Sequence, residues 1–212
     1  MNHSHLTEAQ LFKASLRNWP WFTISLALLQ VTAFLIVELN PIDVAFGLNL
    51  PQSGIKRELA FDLLHPTSRG GISLITSFFT HSDESHFFSN LPWLLLFSFL
   101  LERNRSKPIL LFILMTGHAA ALLGAYFAMS NFGAPQWVLG TSGGTLTLAL
   151  GFLYTRNRSL AGAFVLSIFL ILGAIGVSTV ISHLPSIFVG LFWGHFLKEK
   201  TPLRRSQKPA TT

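Results

Sequence analysis

Between residues 21 and 197 the chain is divided into six apolar runs, 21–37, 86–101, 108–129, 140–154, 160–180 and 183–197. Most are joined by short polar turns. A helix needs about 20 predominantly apolar residues to cross the hydrocarbon core of a bilayer, and runs near that length have few other uses. The charge content agrees: 11% of residues are charged and 50% are hydrophobic, where a soluble domain carries about a quarter charged residues. The expected fold is an all-α membrane protein of six transmembrane helices. One membrane domain, 19–198, lies between an N-terminal tail, 1–18, and a basic C-terminal tail, 199–212. The tail 1–18 is polar and no small-residue cleavage site follows the first run, so that run is expected to be retained as a span rather than removed as a signal peptide. With no cysteine in the chain, disulfide and thiolate chemistry are excluded.

The net charge of +6 would suggest a nucleic-acid partner only if the basic residues formed a patch. They are sorted by topology instead. Six spans place both termini and the turns at 102–107 and 156–158 on one side, and that side holds 12 of the 15 basic residues. Lys56, Arg57 and Arg69 lie opposite. This bias predicts both termini in the cytoplasm and accounts for the charge without nucleic acid. Trp19, Trp21 and Trp137 fall where aromatic residues mark a membrane boundary. The polar loop 38–71 is long enough to expect a function or an interfacial position.

Ionisable groups inside spans are costly and are usually functional or paired. Here they are His81, His86, His118, His183 and His195. Even-numbered spans run inward, so the beginnings of spans two, four and six share the outer side. His86 and Asn90 begin span two, Ser142 begins span four and His183 begins span six. Ser142 lies in Gly140-Thr141-Ser142-Gly143-Gly144, at a helix start where unpaired N–H groups and the positive end of the dipole can stabilise an oxyanion. The same glycines have a plainer use, since Gly140 and Gly144 form a small-xxx-small packing pattern.

His195 lies 12 residues beyond His183 on the same run, roughly 18 Å deeper at about 1.5 Å per residue. That is too far to accept a proton from Ser142, and Lys198 and Lys200 mark it as a residue of the cytoplasmic interface. His183 heads a stripe of small residues, Ser186, Gly190 and Gly194, expected to pack against a matching surface of Gly140, Gly144 and Gly151 on span four. Taken alone, His183 could equally be satisfied by water or a carbonyl. Asn90 follows His86 by one turn on the same face; it could serve interhelical hydrogen bonding or, with His86, hold an oxyanion. His118, midway along span three, is expected to be polar glue.

These residues carry a family signature. Gly140-Thr141-Ser142-Gly143 resembles the Gly-x-Ser-Gly motif of rhomboid intramembrane serine proteases. His81-x4-His86-x3-Asn90 resembles the pattern that opens their second span, and Ser182-His183-x2-Ser186-x3-Gly190 resembles the Ala-His-x2-Gly-x3-Gly pattern of their sixth. Glu102-Arg103 after span two is also similar. The resemblance implies Ser142 as nucleophile, His183 as general base, and His86, Asn90 and the Ser142 backbone N–H as the oxyanion-binding set. No carboxylate is placed to orient His183, which implies a dyad with the histidine held by packing. Ser182 and Ser186 stand where the family pattern has alanine and glycine, Pro185 is unusual, and no Trp-Arg pair occurs in the first loop.

The implied activity is hydrolysis of a peptide bond in or beside a substrate's transmembrane segment, near the outer face, by a multi-pass protein of a prokaryotic plasma membrane. The implied partners are single-span or other membrane-protein substrates and the lipid bilayer, with no metal or other cofactor. A rhombosortase-type specialist that processes C-terminal sorting tails is compatible with the same motifs. The alternative is a non-proteolytic rhomboid-like protein that binds client transmembrane helices. A small transporter is disfavoured, because the polar groups gather in the outer half instead of forming a path across the membrane.

Overall fold

The computed structural model describes residues 19–38, 55–134 and 136–199. The N-terminal tail, most of the C-terminal tail and residues 39–54 of the first loop lie outside the described residues. Six longer helices carry the fold: α1 (Trp21–Glu38), α4 (Glu84–Glu102), α5 (Lys107–Phe132), α6 (Ser142–Arg156), α7 (Arg158–Ile175) and α8 (Val177–Glu199). Between α1 and α4 lie two short helices, α2 (Ile55–Leu59) and α3 (Ser73–Phe79), and the strand β1 (Phe61–Asp62). A second short strand, β2 (Trp137–Val138), precedes α6. Among the described residues three helices, α5, α7 and α8, are long and apolar enough to cross a membrane, and the apolar part of α1 is shorter.

Local chemistry accounts for the helix ends. Asp83 caps α4, its carboxylate accepting the His86 N–H at 2.8 Å. Pro108 stands in the first turn of α5, where its missing N–H costs nothing, and Gly133 closes that helix at φ +67°. Asn157 caps α7 by accepting from the Ser159 and Leu160 N–H groups. At the start of α1, the Glu102 carboxylate accepts the Phe22 and Thr23 N–H groups at 2.8 and 2.9 Å. It also accepts the Thr23 hydroxyl. A long-range partner thereby satisfies amides that a helix start cannot satisfy itself.

Helix α6 is the centre of the bundle. Every residue from Gly143 to Gly151 is buried, whereas α7, apolar all round, buries Ala161 alone. Small residues explain the difference, because they let neighbouring backbones approach α6 from several sides. An added Cβ on Gly190 of α8 would stand 2.8 Å from the Leu150 Cβ, and one on Gly194 would stand 2.5 Å from the Tyr154 Cβ. Side chains of α4, α5 and α6, including Leu94, Phe97, Leu110, Ile113, Leu114 and Leu148, close the main apolar core with Phe78 of α3.

Several expectations are corrected. Helix α7 ends at Ile175 and α8 begins at Val177, so the boundary falls at Gly176 (φ +154°) and not between 180 and 183. Hydropathy is nearly continuous there and cannot register a one-residue break. Pro185 consequently lies inside α8. Of the glycines expected to face α8, Gly151 does so, lying against Gly190 and Gly194, whereas Gly140, just before α6, faces His86 and Gly144 faces the Leu114 carbonyl of α5 and the Phe78 ring. Ser186 bridges two helices, its hydroxyl donating to the Gly117 carbonyl of α5 at 2.9 Å while its carbonyl accepts from Thr147 of α6 at 3.0 Å. His118, in agreement with its reading as polar glue, joins α5 to α3 through the Ser77 hydroxyl at 3.1 Å from Nε2.

Candidate active site

The segment leading into α6 is fixed from two sides. β2 pairs antiparallel with β1, Phe61 opposite Val138 and Asp62 opposite Trp137. The Asp62 carboxylate adds hydrogen bonds from the Leu64 N–H and the Gln136 amide at 2.9 and 2.8 Å. Immediately before α6, the Gly140 N–H donates to the Ser77 carbonyl at the end of α3 at 2.8 Å. Gly140 adopts φ +110°, a conformation costly for residues with a Cβ. It also leaves no room for one: a Cβ there would lie 2.6 Å from Cε1 and 2.9 Å from Nε2 of the His86 ring. The glycine thus serves the backbone path and the histidine together.

Ser142 is the first residue of α6, and the first intrahelical bond at this end is accepted by Thr141 from Thr145. The N–H groups of Ser142, Gly143 and Gly144 therefore precede the helical ladder, at the positive end of the dipole. The Ser142 hydroxyl lies 2.9 Å from Nε2 of His183. Nδ1 of the same ring lies 2.9 Å from the Thr179 carbonyl one turn earlier on α8. A carbonyl can only accept, so in the neutral ring the hydrogen is on Nδ1 and Nε2 is the acceptor. The Ser142 O–H accordingly donates to His183.

The expectation that packing alone holds His183 is corrected here. Thr179 orients the ring, and the Ser182 hydroxyl, which donates to the same carbonyl at 2.9 Å, lies 3.1 Å from Nδ1. Sequence reading missed Thr179 because the acceptor is a main-chain carbonyl, which has no residue signature. Its only trace is the i, i−4 spacing, which became meaningful once α8 was seen to start at Val177.

His86 and Asn90 lie on the first turns of α4, both half-buried. Asn90 spends one amide hydrogen on the His86 carbonyl at 3.0 Å, so a single N–H of that amide is left for another acceptor. Nδ1 of His86 lies 3.0 Å from the Ser82 hydroxyl. His81 is 2% exposed, with its ring 5.2 Å from that of His86, and neither of its ring nitrogens has a hydrogen-bond partner among the described residues. Burial, reinforced by the neighbouring His86, pushes His81 down to about 4, so it is neutral at physiological pH. His195 lies apart from this group, its ring 6.4 Å from that of Tyr154 at the other end of α6. Among the described residues no group of three histidines or carboxylates is arranged to hold a metal ion.

The arrangement contains a hydroxyl paired with a base, unpaired amides beside the hydroxyl, and a second imidazole against the same loop. In chemical terms these are the parts of an acyl-transfer centre. No curated protein and no solved structure matches the chain. The family model of the Rhomboid domain matches residues 69–199, a range that runs from the turn before α3 to the end of α8 and contains every residue of the site. The chain therefore belongs to the rhomboid family of integral membrane proteins.

Proposed function

We propose that the protein is an intramembrane serine endopeptidase that cleaves transmembrane segments of membrane proteins near the outer face. The family is typically one of serine intramembrane proteases. The observation that carries the reading to this chain is the 2.9 Å contact between the Ser142 hydroxyl and Nε2 of His183, with Nδ1 tied to the Thr179 carbonyl. The general base is thereby supplied in the tautomer that can accept a proton. Ser142 attacks the scissile carbonyl as its proton passes to His183. His183 then returns that proton to the leaving amine, and the ester is hydrolysed by water through the same base. The Ser142 N–H, His86 and Asn90 are assigned to the oxyanion, beside the positive end of α6.

In this reading all six longer helices span the membrane, with both termini cytoplasmic. Asp83 and Ser142 then mark the outer ends of α4 and α6. The basic turns at 102–107 and 156–158 mark their inner ends, in agreement with the charge bias. The reading requires that the outer side around Ser142 admit water and receive a substrate helix where its top unwinds, since these are the two obstacles to proteolysis in a bilayer.

The test is reconstitution in liposomes with a model single-span substrate. Cleavage is expected from the native chain and not from Ser142→Ala. Undiminished cleavage by Ser142→Ala would remove the serine from the mechanism. Failure of a fluorophosphonate probe to label Ser142 would favour a protein that binds client helices without cutting them.

A further inference from the structure

The turn before α4 holds a chain of three groups whose hydrogens are fixed by elimination. Oδ1 of Asp83 accepts the His86 N–H at 2.8 Å as the helix cap, and Oδ2 lies 2.7 Å from the Ser82 hydroxyl. The Ser82 hydroxyl also lies 3.0 Å from Nδ1 of His86. An ionised carboxylate has no hydrogen to give, so the single Ser82 hydrogen goes to Asp83. Ser82 can then only accept from His86, which places a hydrogen on Nδ1. In a neutral ring this leaves Nε2 as a bare lone pair. Yet Nε2 is on the side of the ring that rests on Gly140, two residues from the serine, and a lone pair there would repel an oxyanion.

We infer that Asp83 and Ser82 are positioning residues that make His86 an oxyanion donor only in its doubly protonated form, with the Asp83 carboxylate as counter-charge through the Ser82 hydroxyl. The inference rests on the proposed peptidase reading and adds a regulatory consequence to it. The second proton is taken up at Nε2 from water and is lost to water as pH rises. Activity then requires His86 charged and His183 neutral together. Other ionisable groups around His86 do not replace this arrangement. His81 is neutral and its ring nitrogens have no hydrogen-bond partner among the described residues, while Lys56 of α2 reaches the Ser82 carbonyl at 3.1 Å and places its charge near Asp83, too far from the ring to supply a hydrogen at Nε2. His183 of α8 is committed to Ser142 and Thr179, and Glu84 is exposed on the outer turn.

Two substitutions separate the relay from the helix cap. In Asp83→Asn the side-chain oxygen still caps α4, but the amide donates to Ser82. Ser82 must then donate to Nδ1, and the hydrogen of neutral His86 moves to Nε2. Ser82→Ala leaves the cap intact and frees the ring to choose either nitrogen. The first measurement is the nitrogen-15 spectrum of histidine-labelled full-length protein in lipid nanodiscs, assigned with His86→Gln. At alkaline pH the native ring is expected to carry its hydrogen on Nδ1 and the Asp83→Asn ring on Nε2. A native ring protonated on Nε2, or no change in Asp83→Asn, overturns the inference.

The second measurement is the pH dependence of Ser142 labelling by a fluorophosphonate. The native rate should fall about tenfold per pH unit above the point where His86 loses its second proton, as for any single required proton. Both variants should remain flat over that range. An identical alkaline limb in all three proteins overturns the inference. If the native protein is not labelled at any pH, the peptidase reading fails, and the spectra still decide the state of His86.

Discussion

Two histidines lie against the segment that carries Ser142, and the chain holds both in the same way although the tasks proposed for them differ. His183 donates from Nδ1 to a carbonyl of its own helix, which turns a lone pair toward the Ser142 hydroxyl. His86 donates from Nδ1 to a hydroxyl that is itself committed to a carboxylate, and this also turns a lone pair inward. A base needs that lone pair, but an oxyanion donor needs a hydrogen in its place. The same local rule therefore gives one ring that works when neutral and another that works when charged. A nearby carboxylate is useful in the second case. In the first, the proposed Ser142–His183 dyad needs none, because a carbonyl is sufficient to fix a tautomer.

The largest effects are expected on the His183 side. His183→Gln keeps size and polarity but removes the base, and a loss of about 10²- to 10⁴-fold in turnover is expected. Turnover of a single-span substrate in proteoliposomes is the measure, and retention of activity would show that Ser142 is activated in another way. His86→Ala should cost about 10²- to 10³-fold, in line with removal of one oxyanion donor. Its effect should fall on kcat with KM nearly unchanged; a change confined to KM would make His86 a substrate-binding residue instead.

A third substitution tests how rigidly the base is placed. Gly190 of α8 faces the Thr147 backbone and the Leu150 Cβ of α6, so Gly190→Val should overpack the contact and cost about 1–3 kcal/mol in stability. Thermal unfolding in detergent reads this directly, and an unshifted transition would mean that α8 can move aside freely. Ser182→Ala removes the second polar group beside the His183 Nδ1. The Thr179 carbonyl remains to hold Nδ1, so the loss should stay under about 1 kcal/mol in transition-state stabilisation, and a larger one would move the orienting role from Thr179 to Ser182.

The smallest effect is in acid. Hydrogen bonds from the Ser82 hydroxyl and the His86 N–H hold the Asp83 carboxyl below its ordinary value of 3.8. A depressed folded-state value means that the cap's contribution is complete above the ordinary carboxylate range and disappears as pH falls through the lowered value. Unfolding midpoints should therefore drop less in Asp83→Asn than in the native chain when the pH is taken below that range. Equal drops would show that the cap has no ionic component.

Much of the site was legible because its residues are costly where they stand. Histidines, an asparagine and a glycine-flanked serine stand out in apolar runs, and their positions at the starts of even-numbered runs placed them on one side. Other features left no such trace. The boundary at Gly176 is hidden by continuous hydropathy, although it places His183 in the second turn of α8 and makes Thr179 its acceptor. Ser186 departs from the family pattern, and its reason appears only when Gly117 of another helix is found opposite it. Glu102 could be noted after α4, but not that it caps the distant start of α1.

A helical membrane protein with a few polar groups available for chemistry can be read from the residues alone, because long apolar runs and polar residues inside them each have a free-energy cost that their order makes plain. Where the hydrogens on those groups lie, and which neighbour each small residue faces, follows only from how the helices pack. Both depend on carbonyls and hydroxyls from other turns and other helices. The sequence names those groups without saying which donor they meet, since that depends on the path of the backbone and on how closely the helices approach.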